Sequence, residues 1–532
     1  MLNCLRNSIK VNVGPYQVIS RTLITTENLV ESSSNGKQLP VKNDTINSPS
    51  SSDSLSVSSM SVERLPHYDI VINGGGIVGL SFLLHLQSSK FLADRSVLLL
   101  ESQPNRSPLN LGELVNQERI LTNRVSSLTL ASKRYLTQLG VWNLLEPFVK
   151  PTRSMHVWSN RYSRGITFTP QRISFMDNLI KDSQLTNEDY VCYVVENDII
   201  LSALRNRIQS DSIRFDSKLV GIEALPGDTT VELTLSDESR ITTSLLIGCD
   251  GYNSFVRQSA EINYFNLDLN QSAIVGTVQI SKESDLDEND VAYQRFVPHN
   301  KFILALLPLT NNFASFVLSV PRNQVNGLME MSDEAFVNTL NEALFLEKSL
   351  QANQSILSFL TQTTDSIIEK ILPLDSSSTI PRINPPQVMS LEPNSRASFP
   401  LKFGTTLPSM VGQIKGGDRQ KCILIGDSAH RVHPLAGQGL NLGLGDAEIL
   451  GQYLHDSLSI GEDIFSNNQH SCEQLNQVLY NVERQRQLKL IPMMTAIQTM
   501  QDLFTYLPSN VFTAFNKLNL IKNELVRFAN SR

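Results

Sequence analysis

The sequence predicts an α/β protein in which a parallel, nucleotide-binding sheet is interleaved with a second, mixed α+β domain. Three observations carry that prediction. Two apolar strand-like runs, Tyr68–Asn73 and Cys422–Asp427, lead directly into glycine-rich turns followed by apolar helices. A third run, Leu245–Cys249, ends in Asp250-Gly251. Residues 270–400 have few glycines and alternate in the manner of antiparallel strands.

The bulk properties fit this. The chain has 532 residues, 41% hydrophobic and 18% charged, enough for two or three domain-sized units. A net charge of -7 argues against a nucleic-acid partner, since phosphate binding wants a basic surface. The five cysteines, Cys4, Cys192, Cys249, Cys422 and Cys472, are widely spaced with no CxxC pair. That argues against a disulfide framework or zinc site and fits a reducing compartment. The sequence contains no apolar run of roughly 18 residues, so no membrane-spanning helix is predicted.

Folded sequence is expected to start near Tyr68. Residues 1–26 carry Arg6, Lys10 and Arg21 and no acid, the first being Glu27. This composition predicts a mitochondrial transit peptide over residues 1–30. Residues 31–66 stay polar, with a serine-rich stretch from Ser48 to Ser61, and read as a disordered linker.

Tyr68–Asn73 then reads as a buried strand running into Gly74-Gly75-Gly76-Ile77-Val78-Gly79, an apolar helix, and a second strand, Ser96–Leu100, ending on Glu101. Each part has a mechanical reason. Gly74 permits the tight turn, Gly76 lets a pyrophosphate approach the backbone, and Gly79 lets helix and strand pack closely. The helix start offers free N–H groups to phosphate. Glu101 follows at the distance where an acid meets a ribose diol. The unit is Rossmann-like.

Beyond it, Leu128, Ala131, Tyr135 and Leu139 recur at helical spacing, so a helix is expected from Glu118 to a C-terminal Gly140, with Arg124 near its start. Asn197–Ile208 reads as a helix, and Val231–Leu235 as a strand paired with Arg240–Thr243. Ala273–Ile280, Phe302–Leu307 and Phe313–Val320 read as strands, and Asp333–Phe345 as a helix. The proline-rich stretch 374–396 reads as a connecting loop, as does Gly412–Gly417. With no second dinucleotide unit, no separate nicotinamide domain is expected. The expected organisation is a discontinuous dinucleotide domain over 67–265 and 395–505, with part of 150–245 assignable to the second domain, a substrate domain over 266–394, and a helical tail over 506–532.

The second glycine-rich region is the more informative. Its strand ends on Asp427, placed to bind a polyol chain. The loop His433-Pro-Leu-Ala-Gly-Gln-Gly-Leu-Asn-Leu-Gly-Leu-Gly-Asp446 would let backbone N–H groups approach a flat ring, and the helix that follows would stabilise negative charge on it. His430 and His433 stand three apart in a glycine-rich loop with no evident carboxylate, so a metal role is not expected.

Taken in order, GxGxxG at 74–79, Asp250-Gly251 and Gly426-Asp427 resemble the aromatic-hydroxylase class of FAD monooxygenases. The run 433–446, with Ala292–Phe296, Leu304–Leu309 and Arg396–Leu401, resembles the ubiquinone-biosynthesis ring hydroxylases, most of all the mitochondrial eukaryotic kind. The resemblance covers about residues 68–505. It implies an FAD-dependent monooxygenase, with the p-hydroxybenzoate-hydroxylase type of fold, that hydroxylates C5 of a polyprenylated 4-hydroxybenzoate-type ring. A flavin C4a-hydroperoxide would do the chemistry, so no catalytic side chain is assigned. Gly74, Gly76, Gly79 and Glu101 would hold the ADP half of FAD, with Arg124 and Asp250 also in contact. Asp427 would meet the ribityl or pyrophosphate region, and Pro434, Gly437, Gly439 and Asn441 would line the isoalloxazine. The partners implied are O2, ferredoxin with its reductase, and a ubiquinone-biosynthesis protein complex, with peripheral contact on the matrix side of the mitochondrial inner membrane. A related hydroxylase or epoxidase on another substrate, and a non-catalytic FAD-binding scaffold, remain open as alternatives.

The C-terminal stretch places Ile491, Met494, Ile497, Met500, Leu503, Phe504 and Leu507 at helical spacing. That face suits either a membrane or prenyl surface or packing on the FAD domain.

Overall fold

Four parallel strands organise the chain. In the computed structural model, His67–Asn73 pairs in parallel with Val97–Leu100 on one side and Arg240–Gly248 on the other. Gln420–Leu424 adds in parallel beyond Arg240–Gly248. Ile70, Val71, Ile72, Leu245, Leu246, Ile247, Ile423 and Leu424 are fully buried, as strands covered by helices on both sides must be. The structure describes residues 65–115, 121–158, 166–169, 190–224, 230–281, 290–297, 302–309, 312–345, 385–406, 408–414, 420–432 and 438–506. The expected transit peptide, the linker up to residue 64 and residues 507–532 of the tail lie outside them.

This sheet has eight strands, with Val231–Leu235 and Leu219–Ala224 carried antiparallel at one side. Helices Ile77–Ser88 and Gln438–Ser459 pack against each other over it. Two glycines make that approach possible. A Cβ on Gly443 would lie 2.6 Å from Val78, and one on Gly451 would lie 2.6 Å from the His85 ring.

A second, nine-stranded sheet is built around the 17-residue strand Tyr264–Ile280, which pairs with both Phe313–Pro321 and Ala397–Thr406. Helix Asp333–Phe345 covers one face through Phe336, Leu340 and Leu344, with Phe336 and Phe316 rings 5.6 Å apart. Ser154–Trp158, from the stretch assignable to either domain, pairs with Val291–Val297, and Ala397–Thr406 and His430–Arg431 also join this sheet. A small third sheet holds Val125–Leu128, Cys192–Glu196 and Lys150–Thr152.

Three expectations of local structure are corrected. The helix read from Glu118 to Gly140 is a strand, Val125–Leu128, followed by a helix only from Leu130 to Gln138. Thr129 separates them by capping the helix, its hydroxyl accepting from the Ser132 N–H at 3.3 Å. Leu128 therefore belongs to a strand whose partner, Cys192–Glu196, lies far away in sequence. Gly140 does follow the helix end, with φ +69°. The stretch 374–396 contains a strand, Val388–Leu391, and the stretch from Gly412 begins within another, Val411–Gln413. Both hydrogen-bond to longer neighbours that their own composition does not reveal.

His85 provides a test of the helix pair. It lies between Tyr135, whose hydroxyl is 3.2 Å from its Nδ1, and Gly451. Burial, with His455 adding charge repulsion, pushes its pKa down to about 4. The folded state thus holds the neutral ring, while the unfolded chain binds a proton near pH 6.5. Stability is unaffected above that pH and falls as pH drops from 6.5 towards 4, by at most about 3 kcal/mol. Urea midpoints of the wild type at pH 7 and 5 should differ by more than those of His85→Gln, and equal differences would show that His85 does not contribute.

Candidate functional site

The parallel strands end together. Asn73 is in register with Gly248, and Gly248 with Leu424, so the three following loops leave the sheet side by side. In open α/β sheets this carboxyl edge is where ligands bind.

The first loop turns at Gly74, with φ +117°, where a Cβ would meet the Cys249 carbonyl oxygen at 2.5 Å. The Gly75 N–H donates to Glu101 Oε2 at 2.8 Å, so the acid at the end of the second strand holds the glycine turn in shape. Glu101 Oε1 accepts the Gln103 N–H at 2.7 Å. Helix Ile77–Ser88 starts with Gly76 as its N-cap, without a capping side chain and without an acid in its first turn. Its first N–H groups have no acceptor within the helix. A Cβ on Gly79 would lie 2.0 Å from the Gly74 carbonyl oxygen, whereas one on Gly76 would meet nothing within 4 Å.

The second loop is pinned by Asp250. Its Oδ2 accepts from Asn73 Nδ2 and from the N–H groups of Phe255 and Val256, at 2.7 to 3.2 Å. Its Oδ1 is buried with no hydrogen-bond partner among the described residues. Gly251 follows with φ +76°.

The third loop turns at Gly426, φ +66°, whose N–H donates to Asp446 Oδ2 at 2.8 Å. Asp427 comes next. Burial pushes its carboxyl above the usual range, an effect that His430 and Arg431 oppose and Asp446 reinforces. Arg257 ties this loop to the second: its guanidinium donates to the Ser428 and Tyr252 carbonyls, both at 2.7 Å, and lies 3.9 Å over the Tyr264 ring.

The loops enclose a cleft of about 440 Å³. Gly76, Ile77, Val78, Cys249, Gly251, Gly426, Asp427, Gly439 and Leu440 line it from the parallel sheet and its helices, and Phe399, Leu401, Lys402 and Arg431 from the second sheet. Residues 76–78 of the first glycine-rich turn and Gly426, Asp427, Gly439 and Leu440 of the second glycine-rich region therefore share one cavity.

The predicted residues fall into groups. Gly74, Gly76, Gly79, Asp250, Asp427 and Gly439 gather at this edge, and Glu101 braces it. Arg124 is exposed and precedes a strand, not a helix; its neighbours Val125 and Ser126 line the cleft. Asn441 faces the protein. Its Oδ1 accepts the Thr129 N–H at 2.9 Å and the Ser132 hydroxyl at 2.7 Å, and its Nδ2 donates to the Ser127 carbonyl at 2.8 Å. It joins the long helix to the strand–helix junction at Thr129. Pro434 and Gly437 lie outside the described residues, as does His433.

Sequence reasoning missed several members. His430 does have a carboxylate beside it, Asp446, 2.6 Å from Nε2. Lys402 stands one residue beyond the run Arg396–Leu401 singled out in the sequence, and Arg431 stood unremarked within the glycine-rich segment. Both flank the Tyr252 ring, at 5.0 and 4.5 Å from its centroid. Only the pairing of Ala397–Thr406 with His430–Arg431 brings them together.

Two glycine substitutions separate folding from binding. Gly76→Val places its side chain into open space in the cleft, so the protein should fold with a near wild-type melting temperature and lose its ligand. Gly79→Ala drives a Cβ into backbone and should destabilise by about 3 kcal/mol. Melting curves paired with visible spectra check both, and a coloured Gly76→Val protein would contradict the first.

Comparison with known proteins agrees with this geometry. A family model described as FAD binding domain matches residues 67–358 and 415–473. The mitochondrial ubiquinone biosynthesis monooxygenase COQ6 of Xenopus tropicalis is 35% identical over 483 residues, covering 87% of this chain and 93% of that protein. Its Homo sapiens counterpart is 30% identical over 480 residues, covering 87% and 92%. Among solved structures, Klebsiella pneumoniae HpxO complexed with FAD and uric acid matches with TM-score 0.53 at 15% identity, over 87% of this chain and 96% of that one. Pseudomonas aeruginosa PqsL in complex with 2-aminobenzoylacetate matches with TM-score 0.53 at 14% identity, over 87% and 100%. These two speak for the fold alone, whereas the sequence identity extends over nearly the full length of the curated relatives: the chain belongs to the ubiquinone biosynthesis monooxygenase family of FAD-binding proteins.

Proposed function

We propose that this cleft holds FAD and that the protein is a monooxygenase of ubiquinone biosynthesis, hydroxylating C5 of a polyprenylated 4-hydroxybenzoate-type ring with O2. The observation that carries the reading is the shared cleft: a phosphate-ready helix start at 76–78 and an acid-tipped strand end at 426–427 line one cavity.

The residues present fit the cofactor. Gly76 leaves the space of a missing Cβ open at an uncapped helix start, where N–H groups and the positive dipole end suit a pyrophosphate. Glu101 accepts one backbone N–H on each oxygen and keeps acceptor capacity for ribose hydroxyls. Asp427 offers a carboxylate to the ribityl or pyrophosphate region, and the unpartnered Asp250 Oδ1 is a further buried acceptor. Arg124, exposed beside the cleft-lining Val125 and Ser126, is kept as a contact to the cofactor. Gly439, in the first turn of Gln438–Ser459, brings a second helix start to the cleft, suited to negative charge on a reduced ring. In this reading Asn441 acts by positioning, since its amide is engaged with residues 127–132.

When bound, FAD supplies the activation of oxygen that ring hydroxylation requires. The chain's own task is to hold the ring beside the cofactor and to exclude water, and Phe399, Leu401, Val432 and Leu440 give the cleft apolar walls for that. Ferredoxin and its reductase are the proposed electron source, consistent with a single GxGxxG unit in the sequence. The curated relatives are named as mitochondrial, and the proposed location is the matrix side of the inner membrane, peripherally attached within a biosynthetic complex. No helix among the described residues is long and apolar enough to cross a membrane.

Asp427→Ala should raise the FAD dissociation constant by about tenfold or more, the scale of losing a charge-assisted contact, measured by titrating the FAD-free protein. A wild-type constant in the variant removes Asp427 from the site. For the donor, the flavin should bleach under anaerobic conditions with reduced ferredoxin and stay oxidised with NADPH alone; fast bleaching by NADPH reverses that assignment. Product analysis with a prenylated 4-hydroxybenzoate tests the substrate, and flavin reduction without a hydroxylated product counts against it.

A further inference from the structure

Asp446 is fully buried on helix Gln438–Ser459 and does not line the cleft. Its carboxylate nevertheless accepts from three separate elements. Oδ2 takes the Gly426 N–H at 2.8 Å and His430 Nε2 at 2.6 Å, and Oδ1 takes Arg486 Nε at 2.5 Å. Gly426 is the left-handed residue that turns the strand end towards the cleft, and Asp427 follows it directly. His430 sits three residues further on, where the chain crosses to the second sheet. Arg486 comes from the C-terminal helix Gln469–Tyr506, is itself buried, and also donates to the Leu442 carbonyl at 2.8 Å. Gly445 makes room for it, since a Cβ there would lie 3.0 Å from the guanidinium.

We propose that Asp446 is a positioning residue, held by Arg486, that fixes the Gly426 turn and so sets Asp427 for the cofactor. This rests on the reading of the cleft as the FAD site. Both oxygens of the carboxylate are needed because they face opposite ways, one to the turn and one to the C-terminal helix. An amide in its place has only one acceptor. Asp446→Asn must give its oxygen to Arg486, whose Nε would otherwise lose its acceptor while its Nη2 keeps only the Leu442 carbonyl, because a buried cation left short of acceptors is costlier than one unpaired amide. Its NH2 group then opposes the Gly426 N–H, and the turn shifts. Burial works against the Asp446 charge, yet Arg486 and His430 hold its carboxyl below the usual range. The C-terminal helix thereby reaches the cofactor loop through one buried ion pair.

The test uses the full chain. Asp446→Asn should raise the FAD dissociation constant about tenfold and speed amide exchange at Gly426 and Asp427 in the FAD-free protein. The double variant Asp446→Asn/Arg486→Met removes the competing cation, lets the amide turn its oxygen to Gly426, and should restore affinity to within about threefold and slow the exchange again. A lower melting temperature for Asp446→Asn with wild-type FAD affinity, flavin potential and Gly426 exchange would overturn the proposal and leave the carboxylate a purely structural anchor. Loss of affinity that the double variant does not rescue would overturn it as well. If Asp446→Asn does not fold, His430→Leu, which removes one of the three donors, should give about a threefold loss, and unchanged affinity and exchange would count against the idea. A wild-type chain that takes up no FAD would sink the cofactor reading, while exchange at Gly426 would still decide the positioning role.

Discussion

The structure depends on the register of three parallel strands. Because Asn73, Gly248 and Leu424 lie side by side, the turns at Gly74, Asp250-Gly251 and Gly426 open onto one edge of the sheet. A shift by one residue in any strand would exchange the side chains packed on its two buried faces and carry its loop out of line with the others. The two fully buried faces hold the register: Ile70, Val71 and Ile72 exchange contacts with Leu245, Leu246 and Ile247, all withdrawn from water. The binding edge thus inherits its geometry from the hydrophobic core.

Loops at such an edge cannot satisfy their backbone groups through regular pairing, so side chains do it. Glu101 accepts from Gly75, Asp250 from Phe255 and Val256, and Asp446 from Gly426, while Arg257 donates to Ser428 and Tyr252. Each is a charged group hydrogen-bonded to backbone, the stronger class of such contact. Acids and an arginine that could be read as ligands for a cofactor therefore have a first duty to the loops. For Glu101 and Asp250 both roles are compatible, because lone pairs remain.

Much of this was legible from the chain. Strand, glycines, helix and terminal acid occur within a short span at 68–101, and local order alone makes them a nucleotide unit. The helix Asp333–Phe345 and the strands Phe302–Pro308 and Phe313–Pro321 follow their periodicity closely. Illegible parts share a cause. Val125–Leu128, Val388–Leu391 and Val411–Gln413 are strands of three or four residues. They exist because distant partners complete them, so a helical spacing through Leu128 and prolines near Val388 pointed elsewhere. The amide of Asn441 is engaged at the Thr129 junction, a contact no spacing announces.

By itself, the sequence determined which strand ends carry glycines and acids, and with them the class of ligand, since φ-permissive turns, helix starts and carboxylates are properties of residue types in local order. Only the tertiary structure decided that those ends meet in one cleft, that Lys402 and Arg431 close it from a second sheet, and that Asp446 joins the C-terminal helix to the Gly426 turn. The reason is physical: each of these needs pairing or charge compensation between segments far apart in the chain, and a sequence read along its length carries the partners but not their encounter.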